Sequence, residues 1–142
     1  MQVVIDRLAM IAPLAGRIHP VAKLADLMER GGFAQSTPAA FVLPLGLRGG
    51  AATAATGLYR QNLERFVGVV LAVRHVGDAT GALAQAELDP LIDAVIGVLA
   101  GWGTDDMIGV FTLSRGELAG IDKGTITYQL DFAIEDQLRI VR

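Results

Sequence analysis

No cysteine occurs among the 142 residues, an absence that removes disulfides, thiolate zinc sites and thiol nucleophiles together. Histidine is nearly as scarce. His19 and His75 are the only two, and they offer neither HxxxH nor HxH spacing for a metal. Charge is thin as well, at 19% of residues with a net charge of −3. Such a chain has no basic field to draw nucleic acid phosphates or an anionic membrane. The longest apolar runs, Phe66–Val73 and Val95–Ala100, fall far short of the roughly 20 residues a membrane-spanning helix needs. The opening MQVVIDRLAM places Asp6 early and has no basic segment ahead of an apolar core, so a signal peptide is not expected. A soluble protein made in the cytosol is.

Hydrophobic residues, by contrast, are plentiful, at 52%. One domain spanning 1–142 is expected, long enough to bury a core without staples. With so little charge to show to water, part of its apolar surface is expected to be covered by other subunits.

Val4, Ile5, Leu8, Ile11 and Ala12 recur at helical spacing, a short amphipathic helix ended by Pro13 and Gly16. Pro20 suits a first helical position, ahead of the stripe Val21, Leu24, Leu27, Met28, with Gly31 and Gly32 as the stop. Ala40 to Leu45 reads as a short strand, with Pro44 near an edge or end. Gly46 to Leu58 reads as a flexible loop. Arg60 to Val76 reads as a long strand, apolar on both parities between Val67 and Val73, which requires cover on both faces. Asp89-Pro90 predicts a helix start, with Leu91, Ile92, Val95, Ile96, Leu99 and Trp102 as its stripe. A strand over Met107–Leu113, a connection over Gly116–Asp122 and an alternating strand from Thr125 to Ile134 follow. The alternation returns at Leu138 and Ile140. The order predicts an α+β fold: a mostly antiparallel sheet of about four strands with helices packed on one face.

The sequence shows no catalytic constellation. LRGGAATAATG is neither GxGxxG nor GxxxxGK[ST], so the glycines do not announce a phosphate cradle. Ser36 and Ser114 stand outside any GxSxG. Asp105-Asp106 and Glu135-Asp136 are neighbours, which in a strand point to opposite faces. No catalytic, cofactor-binding or metal-binding residue is assigned. Arg48, Arg60 and Arg65 bracket the glycine-rich stretch and Arg74 follows on the long strand; they form either a solvated rim or a contact with acidic groups of a neighbouring subunit, arginine being favoured at interfaces.

Three segments give the chain a family likeness: AFVLPLG followed by small residues, RFVGVVLAVRHVGDATG, and LDPLIDAVIGVLAGW. A later glycine-rich turn and the Tyr128–Phe132 strand fit too. Over nearly its whole length the chain resembles the tail terminator proteins of long-tailed bacteriophages. The resemblance implies a non-enzymatic virion protein without cofactor. It implies a hexameric ring that caps the finished tail tube, ends its polymerisation and meets the head connector or stopper, with DNA passing through the bore. It would assemble in the bacterial cytoplasm and reside at the head-proximal end of the tail.

On that reading Gly46–Leu58 is a docking loop. The expected contacts with a neighbouring subunit or the major tail tube protein are Arg48, Gly49, Gly50, Thr53, Thr56, Tyr59, Arg60, Arg65 and Arg74 on one side, and Asp131, Glu135 and Asp136 on another. Another neck, head–tail joining or tail completion protein is the main alternative. A small enzyme with a pocket between helix and sheet, or a dimeric binding module using the sheet edge, are further alternatives.

Overall fold

The computed structural model describes residues 1–30, 37–78, 80–122 and 124–142; the expected stop at Gly31 and Gly32, and Ser36, lie outside them. The α+β class holds, with a mostly antiparallel sheet of five strands and three α-helices among the described residues. In chain order these are α1 (Gln2–Leu8), β1 (Ile18–Pro20), α2 (Val21–Glu29), β2 (Ala39–Ala55), β3 (Leu58–Arg74), α3 (Ala82–Leu99), β4 (Thr112–Asp122) and β5 (Thr125–Val141). Across the sheet the order is β1-β2-β3-β5-β4, and β1 alone pairs in parallel.

β3 is apolar on both parities because helices cover both of its faces. Val67, Val69, Leu71 and Val73 share one face with Ala40 and Val42 of β2 and with Ile126, Leu130, Phe132 and Ile134 of β5. Onto this face α3 lays Ala84, Leu88, Leu91, Val95 and Leu99, at three- and four-residue spacing, and α1 adds Val4 and Leu8. The opposite face buries Phe41, Val70 and Ala72 beneath Leu27 of α2. Helices therefore lie on both faces rather than one, and no neighbouring subunit is needed to explain β3.

α3 starts earlier than Asp89-Pro90 suggests. Asp78 supplies the cap, its Oδ2 accepting the backbone N–H groups of Leu83 and Ala84 at 3.0 and 3.1 Å. Pro90 sits inside the helix on its exposed side, where the carbonyl it leaves without a helical donor faces water. β4 also shifts: Met107 and Phe111 pack into the core ahead of it, and the strand runs through the stretch expected to be a connection. Bulges after Leu113 and after Leu118 keep it in register with β5.

Gly124 closes the β4–β5 hairpin at φ +80°, and a Cβ there would stand 2.6 Å from the His75 carbonyl oxygen. Its own carbonyl accepts the His75 N–H at 3.0 Å. Gly124→Ala is expected to destabilise by about 1–3 kcal/mol, combining left-handed strain with a backbone clash. Urea denaturation checks this; an unchanged midpoint would contradict it.

The segment expected to be a flexible loop, 46–58, is mostly strand. β2 continues to Ala55, Thr56 and Gly57 make the turn, and Leu58 begins β3. β3 then pairs without a break with β5 from Leu58↔Val141 to Arg74↔Thr125. The distal halves of β2, β3 and β5 thus form a three-stranded arm beyond the helices. Residues 44–57 are all exposed, and none from 58 to 66 is buried.

Candidate assembly surfaces

The arm departs from the core at Pro44, which has no N–H to offer a ladder. The β2–β3 register shifts between Pro44 and Gly46, and the displaced Leu45 packs over Gly68, where a Cβ would meet its side chain at 3.2 Å. Beyond this bulge one face of the arm presents Leu47, Tyr59, Leu63, Leu138 and Ile140, and the other Arg48, Arg60, Glu64, Glu135 and Arg139, as the unbroken β3–β5 register dictates. Between α1 and the base of the arm an apolar hollow of about 460 Å³ is lined by Val3, Val4, Leu47, Phe66 and Phe111, among others.

The arm gathers most of the residues expected at an interface. Arg48, Gly49, Gly50 and Thr53 lie on β2, Thr56 in the turn, Tyr59, Arg60 and Arg65 on β3, and Glu135 and Asp136 on β5. Arg74 and Asp131 stand apart from it. Arg74, at the end of β3, gives its backbone N–H to Thr37 Oγ1 at 3.2 Å. Asp131, in the core half of β5, accepts from Gln129 Nε2 at 2.8 Å. The arginines and carboxylates are not segregated on two sides of the subunit: Arg65 Nε donates to Asp136 Oδ2 at 2.9 Å within the chain, and Arg48 pairs with Glu64 at 2.6 Å.

Hydrogen bonding to Arg65, then to the Gln137 backbone N–H, holds the Asp136 carboxyl below its ordinary value of 3.8. A depressed folded pKa contributes stability that is whole above the unfolded value and is lost as pH falls through the folded one. Asp136→Asn is therefore expected to lower stability slightly at pH 7, the pair being solvent-exposed, and the difference from the parent should vanish on acidification below the carboxylate range. Denaturation midpoints of both proteins across pH check this; a gap that widens in acid would contradict it.

Arg139 and Glu64, which sequence reading missed, complete the surface beside the expected Arg60 and Glu135. Arg60 stands directly opposite Arg139, and Glu64 directly opposite Glu135. Like charges in direct cross-strand register are unfavourable. Among the described residues neither Arg60 nor Arg139 has a carboxylate partner. The alternation in RQNLER and QLRIVR was the available signal, but the pairing needs the register. The second missed feature is β4. It is exposed along almost its whole length, with Leu113, Leu118 and Ile121 uncovered, and its outer edge has no strand beside it among the described residues.

The remaining polar groups do not converge. His19 is partly buried near Phe41, at 5.5 Å between ring centroids, and burial with the charge of Lys23 lowers its pKa. His75 Nε2 is 2.6 Å from Glu87 Oε2. Among the described residues no three His, Asp or Glu side chains gather as a metal site, and no helix is long and apolar enough to cross a membrane.

The molecule is thus a small sheet with covered centre, an uncovered arm and an uncovered edge strand. The family model described as phage tail terminator protein matches residues 1–142. No curated protein sequence matches. Among solved structures, a chain from the virion of a native gene transfer agent particle superposes with a TM-score of 0.54 at 13% identity, over 95% of this chain and 92% of that one. At that identity the likeness shows the fold. Matched along its full length, the chain belongs to the phage tail terminator family and is a structural protein of a phage tail.

Proposed function

We propose that this protein closes the head-proximal end of the tail tube as a hexameric ring, stops tube polymerisation there and offers its other face to the head connector or stopper. The observation that supports this best is the arm. A three-stranded ribbon with both faces bare is a poor investment for a monomer, since isolated ribbons are marginal in water and unprotected edges invite association. An assembly gives it partners. The major tail tube protein is the partner on one ring face, and DNA passes through the bore without sequence-specific contacts. Assembly takes place in the cytoplasm of the bacterial host. The role is non-enzymatic, in keeping with a surface built of β edges and paired charges.

Polymerising purified tube protein with increasing amounts of this chain tests the reading. Tubes should become shorter in proportion to the added chain, each carrying density at one end. Tube lengths indifferent to its presence would sink the proposal.

A further inference from the structure

Two edges of this sheet end without a partner among the described residues. One is the arm portion of β2, because β1 covers only Ala40–Val42. The other is the outer edge of β4. They lie at opposite sides of the sheet and are nearly equal in length. Neither contains a lysine or a proline beyond Pro44, residues that commonly blunt an exposed edge.

We infer that the arm edge of β2 in one copy adds, antiparallel, to the β4 edge of the next copy, so that the sheets of successive subunits run on from one another. This rests on the ring reading above and gives it a strand-level contact.

Strand direction supports it. β2, β3, β5 and β4 alternate in direction across the sheet, every step being antiparallel. An even number of alternating strands means that a second copy in the same orientation presents its β2 antiparallel to the first copy's β4. Both faces then continue as the same faces. That is the head-to-tail, heterologous contact a cyclic ring requires, and it arises here without turning the second copy over.

Register follows from the bulges and the charges. β2 has two unbroken stretches beyond its first bulge, Gly46–Gly49 and Ala52–Ala55, and of these only Gly46–Gly49 carries a charged residue. β4 has one between its two bulges, Arg115–Leu118. On β2, Leu47 and Gly49 belong to the helix-covered face and Arg48 to the other; on β4, Gly116 and Leu118 belong to the former, Arg115 and Glu117 to the latter. Antiparallel pairing that conserves faces can set Arg48 opposite Glu117, or, two residues away, opposite Arg115. The first sets opposite charges together and the second like charges. It also sets Leu47 against Leu118, both more than half exposed in the single chain, and Gly49 against Gly116. Arg48 would then stand between Glu64 of its own chain and Glu117 of the next.

The absence of cysteine makes the test clean. Full chains bearing Leu47→Cys are mixed with chains bearing Leu118→Cys, with tube protein present, and oxidised. The expected result is a shift from monomer to covalent dimer in the mixture, absent from either variant alone and from a mixture of Leu47→Cys with Ile121→Cys. The parent chain, imaged alongside, reports assembly independently. Capped tubes without a Leu47–Leu118 cross-link would overturn the edge pairing and leave the capping function standing. Failure of the parent chain to assemble, alone or on tubes, would overturn both.

Discussion

Phe132→Ala is expected to remove about 3–5 kcal/mol of stability, the range for deleting a large aromatic side chain from a packed core. Small domains hold roughly 5–15 kcal/mol in total, so this single change should leave a large part of the population unfolded on mild warming. Phe132 is fully buried on β5, opposite Val67 of β3 on one side and Leu113 of β4 on the other. Ladder hydrogen bonds on both flanks hold the backbone, so the cavity has little freedom to collapse. Phe132→Leu, which keeps most of the volume, should lose much less. Urea denaturation of the three proteins measures the difference. A loss below about 1 kcal/mol for the alanine variant would mean that the site relaxes, as only peripheral positions normally do.

Shortening the arm is expected to have the opposite profile: little effect on stability and complete loss of capping. The variant joins Arg48 to Glu64 across a tight Asn-Gly turn and ends the chain at Gln137, so that no unpaired half of β5 is left. Nothing removed belongs to either buried cluster. The thermal transition should therefore stay cooperative and close to that of the parent, while tubes grown with the variant should reach the length of uncapped ones. A variant that still caps would assign termination to the core face or to β4. A variant that fails to fold would mean that the arm stabilises the core through contacts other than burial.

The two profiles separate what was legible in the sequence from what was not. The core half of β3 could be read because Val67–Val73 is apolar on both parities, and α3 because Leu91, Val95 and Leu99 repeat at helical spacing. In both cases burial writes itself into the pattern. The β2 part of the arm has no buried face in the single chain, and beyond Leu47 it has no apolar parity to display. Its Gly, Ala and Thr residues then read as loop, although the hydrogen-bond ladder to β3 fixes them as strand.

β4 misled in the same way. The apolar residues just before it, Met107 and Phe111, enter the core from an irregular segment, while the strand itself alternates mostly into solvent. Asp89-Pro90 imitates a helix start locally, whereas the carboxylate that caps α3 is that of Asp78, which accepts the N–H groups of Leu83 and Ala84. The expected interface residues clustered better than the elements that hold them. Ten of the twelve lie on the arm because its composition was conspicuous, yet the opposed Arg60 and Arg139, and the opposed Glu64 and Glu135, are properties of register. A sequence read one segment at a time does not contain register.

If this chain acts as a ring at the end of a tube, its molecular mass in solution and on tubes must show it. Light scattering should be run across concentration, with the chain alone and with purified tail tube protein, and the tube ends then imaged. Either a hexamer of the 15.0 kDa chain or a monomer that collects only at tube ends as a ring is expected. A stable dimer that ignores tubes would contradict it.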